Sequence, residues 1–249
     1  MIRARLEREP VLADREETVY VLGAGASVVS GAPVLKNFFS HVFAHHKICS
    51  RVRSVLSFLE DFFNAKIEAP GEEMPKYETV LSFIDLALAS KVAIDAKYQE
   101  RDLLQLRDDL VYLLWLSLRD TASDDSPDEL HLEFVEKCLS ADSTVLSLNY
   151  DLLIDKAIFA HFGRVDYGLQ FQREFISMQS REAKRKAPML LKLHGSLNWL
   201  FCPTCQCLHY YMGKDATARI FKDPPELCPN DGSYLKGILI PPTWSKDYG

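Results

Sequence analysis

No apolar run in this chain of 249 residues is long enough to span a membrane. The N-terminus, Met1-Ile2-Arg3-Ala4-Arg5-Leu6, lacks the apolar centre of a signal peptide, so a cytoplasmic location without membrane contact is expected. There is no excess of basic residues. Lys and Arg number 29 against 35 Asp and Glu, a net charge of −6, which argues against a nucleic-acid surface because phosphate neutralisation needs concentrated cations. The one basic run, Arg181-Glu182-Ala183-Lys184-Arg185-Lys186, reads as a solvated loop. Strand patterns are missing from Val34 to about Leu139. The Gly-x-Gly turn near the start has no third glycine, because Val28 stands there, and no acidic residue between positions 40 and 50 to hold a ribose. An ordinary hydride-transfer dinucleotide fold is thereby disfavoured.

What is present begins with Thr18-Val19-Tyr20-Val21-Leu22, which reads as a fully buried strand. It turns at Gly23-Ala24-Gly25-Ala26-Ser27 into an expected helix start. Small residues there let backbone approach a ligand, and free N–H groups at a helix start favour phosphate. A second small element follows, Ser30-Gly31-Ala32-Pro33. The next hundred residues show apolar residues at helical spacing, ending in a long, mostly apolar helix from Leu103 to Leu118. Ser126-Pro127-Asp128-Glu129 reads as a cap followed by proline at the first helical position. His41, His45 and His46 share one helix and read as surface histidines, with no carboxylate or cysteine beside them.

Strands resume at Thr144-Val145-Leu146-Ser147-Leu148 and at Met189-Leu190-Leu191-Lys192-Leu193. The first ends in Asn149-Tyr150-Asp151 before a helix from Leu152 to Phe162. The second ends in His194-Gly195-Ser196. Open α/β sheets bind ligands at the C-terminal edges of their parallel strands. Two such ends and one glycine turn therefore point to a single crevice, although Asn149 and Asp151 could serve only as caps of the next helix.

The six cysteines divide two and four. Cys49 and Cys138 stand alone in helical patterns and read as small buried hydrophobes. Cys202 and Cys205 have the spacing of a zinc knuckle, and Cys228 opens a second knuckle with Asp231 in place of its second cysteine. Bound Zn2+ is expected. Asp231, Cys207 or His209 supplies the fourth ligand. A last strand, Gly237 to Ile240, precedes Pro241-Pro242-Thr243-Trp244.

Four separated motifs together resemble the sirtuin-like NAD-binding family. They are the two small elements between Gly23 and Pro33, Ser147 to Asp151, Lys192 to Ser196 with Asn198-Trp199, and Pro241 to Trp244. Asn-Tyr-Asp, the helical insertion and Pro-Pro-Thr-Trp are similar to the bacterial branch associated with NAD hydrolysis in anti-phage defence. The resemblance implies an α/β fold: a Rossmann-like parallel sheet in one domain over 1–249, with a helical insertion at 34–139 and a small zinc-ribbon-like insertion at 200–236. It implies NAD as substrate, with Gly23, Ala24, Gly25, Ala26 and Ser27 on the pyrophosphate and Gly31, Pro33, Ser147, Gly195 and Ser196 completing the cofactor site. His194 aligns with the general base, and Asn149 and Asp151 with residues at the nicotinamide and its ribose. The family continues past Pro-Pro-Thr-Trp with a helix and a strand bordering the adenosine, so one wall of the site is expected to be absent here. The activity implied is NAD glycohydrolysis, with activation by a defence-system partner or self-assembly. A non-catalytic NAD- or ADP-ribose-binding module is the alternative. A protein deacylase fits less well, because Val34-Leu35-Lys36 replaces the deacetylases' Phe-Arg.

Overall fold

Among the described residues, six helices and seven strands make up two sheets and a helical layer. The strands are β1 (Val19–Leu22), β2 (Thr144–Ser147), β3 (Arg173–Ile176), β4 (Met189–Lys192), β5 (Gly195–Phe201), β6 (Leu208–Met212) and β7 (Lys236–Leu239). The helices are α1 (Phe38–His45), α2 (Ser50–Phe63), α3 (Tyr77–Ala89), α4 (Glu100–Leu118), α5 (Glu129–Cys138) and α6 (Leu153–Phe162). This computed structural model describes residues 18–65, 74–119, 126–176, 186–213 and 215–242. Residues 1–17, most of the basic run, and Thr243-Trp244 lie outside the described residues.

Strands β1, β2 and β4 form a parallel sheet in that order, with Val19 opposite Thr144 and Thr144 opposite Met189. Because the side-chain period of a strand is two, Tyr20, Leu22, Val145 and Leu190 share one face. That face meets α5 and α6 in a core containing Val135, Ile154, Ala157, Ile158 and Phe159. The opposite face carries Val19 and Val21, which are 57% and 65% exposed. The expectation of a fully buried first strand is therefore wrong. β1 is an edge strand whose second face no described element covers. The alternation is invisible in a run where both faces are apolar.

Helices α1 to α4 share a second core, from Phe38 and Val42 through Val55, Tyr77 and Leu81 to Leu110 and Leu113. No described residue between Val34 and Leu139 is in a strand, as the periodicity predicts. The long apolar helix is α4. Its start is fixed by a capping box between Gln99 and Asp102. Tyr77 Oη donates to Leu110 O at 3.1 Å and Arg107 Nε donates to Asp85 at 2.7 Å, pinning α3 to α4. α5 stands apart from this core and packs on α6 and the parallel sheet.

The second sheet has the order β3-β6-β5-β7, with β5 antiparallel to both β6 and β7. Gly195 begins β5 at φ +79°, and a Cβ there would lie 2.1 Å from Ile238 O. Only glycine meets both conditions. Trp115 Nε1 donates to Thr217 O at 2.7 Å and ties α4 to this half of the molecule.

Three further local readings need correction. The cap of α5 is Asp128, not Ser126, and its carboxylate accepts from His131 N at 3.1 Å. The glycine turn opens a four-residue 3-10 turn, Ala24–Ser27, rather than an α-helix. So short an element has little dipole, and its exposed N–H groups are what it can offer an anion. Cys138 is exposed and Cys49 is half-buried, so neither is a fully buried apolar filler. No described helix is long and apolar enough to cross a membrane.

Candidate functional site

The C-terminal ends of β1, β2 and β4 open on one side, and a cavity of about 270 Å³ lies there. Gly23, Ala24 and Ser27 come from the glycine turn, Pro33 from the second small element, Asn149 and Asp151 from the end of β2, and His194 from the end of β4. All seven were singled out from the sequence, and all line the cavity. Gly25, Ala26, Gly31, Ser147, Gly195 and Ser196 do not. Ser147 is buried behind the wall and its Oγ accepts from Asn149 N at 3.2 Å. Gly31 serves the backbone, at φ +87°. Gly195 packs on Ile238, and Ser196 is fully buried. Gly23 and Gly25 have nothing within 4 Å of where a Cβ would stand, so the turn is open to an approaching ligand.

A directional chain of hydrogen bonds sets the polar wall. Ser27 Oγ donates to Asp151 Oδ2 at 2.7 Å, so it must accept from Asn149 Nδ2 at 2.9 Å. The same amide nitrogen donates to Gly23 O at 2.9 Å. Both protons of Nδ2 are thereby spent inside the wall, and Asn149 offers its Oδ1 as an acceptor. Asp151 is 3% exposed, and its other oxygen takes Leu153 N at 3.1 Å. Its carboxylate holds the wall together and takes the first N–H of α6.

Behind the wall, Lys192 Nζ donates to Asp151 O and to Asp155 Oδ2, the latter at 2.9 Å, with both side chains of the ion pair fully buried. Asp155 also accepts from Tyr167 Oη at 2.7 Å, and Tyr167 Oη accepts from Asn198 Nδ2 at 3.2 Å. This network fixes the ends of β2 and β4 relative to each other. His194 is half-buried beside Tyr150, their ring centroids 6.0 Å apart. Ile240 N donates to His194 O, and Tyr150 Oη donates to Ile240 O at 2.6 Å, so the end of β7 stitches the two loops. Burial first, and then the nearby Glu78, push the Tyr150 phenol well above its usual range and keep it a neutral donor.

The helical insertion is expected from the sequence to cover one side of the site, and it does, but none of the residues by which it lines the cavity was singled out as a site residue. Phe38, Glu78, Leu114, Ser117 and Leu118 line the cavity from α1, α3 and α4. No spacing within those helices marks these residues. Only the packing of α3 on α4 turns them to the site.

The second cluster is a candidate metal centre. One ligand atom from each of Cys202, Cys205, Cys228 and Asp231 lies within 4.8 Å of all the others. Cys205 Sγ and Cys228 Sγ are 3.6 Å apart, and Cys202 Sγ is 3.3 Å from Asp231 Oδ2. Sulfurs about 2.3 Å from a tetrahedral zinc stand at about this separation. The backbone N–H of Ser233 holds the Asp231 carboxyl down to about 2, so it is an anionic donor. Of the candidates for the fourth position, Asp231 is the one brought into the cluster. Cys207 and His209 are outside it, and among the described residues the histidines of α1 form no such group. The purified protein is expected to carry about one zinc per chain. Cys228→Ser is expected to lose most of it and to lower the thermal midpoint, read by elemental analysis and a melting curve. Wild-type protein free of zinc would dismiss the centre.

No family model and no curated protein matches this chain. Solved structures similar to it include Sir2 homologues. A Sir2 homologue–NAD complex shares 15% identity at a TM-score of 0.41, with 90% of this chain and 57% of that one covered. A mutant Sir2 homologue with ADP-ribose shares 15% identity at a TM-score of 0.35, covering 90% and 58%. A Sir2 protein bound to a propionylated peptide shares 14% at 0.31, again covering 90% and 58%. The chain spans less than two thirds of the length of each. The functional reading of the site is carried by its own geometry.

Proposed function

We propose that this chain is an NAD glycohydrolase, cleaving the nicotinamide–ribose bond to give nicotinamide and ADP-ribose. The observation that carries the reading is the convergence of the open glycine turn, the locked Asn149 and His194 on one cavity. The backbone N–H groups at the start of the turn, those of Ala24 and Gly25, suit the pyrophosphate, whereas Ala26 N is taken by Gly23 O. In the reaction the bond from ribose C1′ to the ring nitrogen breaks, and its electron pair leaves on nicotinamide. The oxygen of a water bonds to C1′. His194 takes the proton from that water or from a ribose hydroxyl and passes it to solvent. Asn149 Oδ1, an acceptor only, orients the O–H group that attacks or the hydroxyl beside it. A cavity of about 270 Å³ is at the small end for ligand sites and fits one end of a dinucleotide.

The motif resemblance to the bacterial sirtuin-like branch extends the proposal to anti-phage defence by NAD depletion. There a partner protein or self-assembly switches the activity on, and Zn2+ in the cysteine cluster is structural. Incubating the protein with NAD is expected to yield nicotinamide and ADP-ribose in equal amounts, without an acylated peptide. NAD binding with no product, under conditions that include self-assembly, would leave the binding module instead. Acceleration by acetyl-lysine peptide would favour a deacylase.

A further inference from the structure

The cavity has a polarity that the reaction above does not use. Among the described residues two carboxylates line it, Asp151 and Glu78, and no lysine or arginine does. Asp151 is spent, with one oxygen on Ser27 and the other on Leu153. Glu78 is different. It stands in the first turn of α3, half-buried, and makes no hydrogen bond or ion pair with another described residue. Its position is set by its neighbour. Tyr77 is fully buried, with its hydroxyl on Leu110 O, and that anchor turns the next residue to the cavity. Glu78 also lies close enough to Tyr150 for its charge to bear on the phenol. An acidic residue in a first turn favours the helix by itself, but that benefit does not require it to face a cavity.

A carboxylate in the cavity wall, with no lysine or arginine beside it among the described residues, favours a positive group at its part of the cavity. We propose that Glu78 recognises the positive charge of the oxidised nicotinamide ring, and so seats the cationic end of the dinucleotide in the cavity while the phosphates stay at the glycine turn. This rests on the NAD reading of the site. The charge matters through the reaction. Before cleavage it lies on the ring. As the glycosidic bond breaks, the electron pair neutralises the ring and the positive charge passes to the ribose, where a carboxylate opposes it as in other glycoside cleavages. The departing nicotinamide is neutral and loses its hold on Glu78, so substrate is held and product is not.

The test compares NAD+ with NADH, whose reduced ring carries no charge. Titration calorimetry on the His194→Ala chain keeps the substrate intact during the measurement. NAD+ is expected to bind about tenfold more tightly than NADH, a modest value because the site is open to water. Adding E78Q is expected to bring the ratio to within about twofold, while the NADH affinity changes less than about threefold. E78A is expected to give the same ratio, which separates charge from side-chain shape. Binding of both nucleotides with a ratio indifferent to E78Q overturns the role of Glu78 and leaves the NAD reading standing. Failure of both nucleotides to bind overturns the two together.

Discussion

His194→Ala is expected to slow NAD consumption by about 100- to 10,000-fold and to leave NAD affinity within about threefold, the range for removing a general base. The expectation comes from where the histidine stands. It closes the cavity at the end of β4, while the glycine turn and Asn149 come from the ends of β1 and β2. Its backbone is held by Ile240 and its ring lies beside Tyr150, so removing the imidazole leaves the loop anchored. The rate is read by product formation and the affinity by calorimetry. Equal turnover in the variant would remove His194 from the chemistry. A matching loss of affinity would make it a binding residue. His194→Gln, which can hydrogen-bond but cannot accept a proton near neutral pH, is expected to be as slow as the alanine variant.

Lys192→Met is expected to cost about 3–5 kcal/mol of folding stability, the usual consequence of leaving one half of a buried ion pair behind. Domains of this kind have only about 5–15 kcal/mol in total. The ammonium is fully buried, bonded to Asp155 and to the carbonyl of Asp151. Without it, Asp155 keeps the Tyr167 hydroxyl as a hydrogen-bond partner but loses its counter-charge. Denaturant unfolding followed by circular dichroism measures the loss. Changing Asp155 to Leu in the same chain is expected to recover part of it, because the uncompensated charge then disappears. A single variant within about 1 kcal/mol of wild type would mean that water reaches the pair. The functional cost would follow the same path, since the Asp151 carbonyl that Lys192 holds belongs to the loop that fixes Ser27 and Asn149.

Much of this was legible in the sequence because it is local. A β-branched run ending in Gly-Ala-Gly, and apolar runs ending in Asn-Tyr-Asp and His-Gly-Ser, mark strand ends without knowledge of the rest of the chain. The parallel order β1-β2-β4 then brings those ends together. The cysteine spacing was legible for the same reason. What was not legible depends on packing. Val19 and Val21 look like core residues, yet their exposure is decided by which face of the sheet the helices cover. Asp128 rather than Ser126 caps α5, because its second oxygen also takes Ser30 Oγ at 2.9 Å, a partner 98 positions away. Glu78 belongs to the cavity only because Tyr77 is anchored on α4. Asp151 was read as a site residue and does line the cavity, but both its oxygens face the wall, a fact of geometry that no spacing encodes.

The locked amide of Asn149 makes the cavity a one-way gate for hydrogen bonds. Rotating the amide would oppose its oxygen to the carbonyl of Gly23 and break two bonds within the wall. The site therefore accepts hydroxyl, water or amide N–H at that point and rejects any carbonyl or phosphate oxygen. A carboxamide-bearing ring can turn only its nitrogen, never its oxygen, toward Asn149. That constraint selects between the two faces a nicotinamide could present, before any catalytic group has acted.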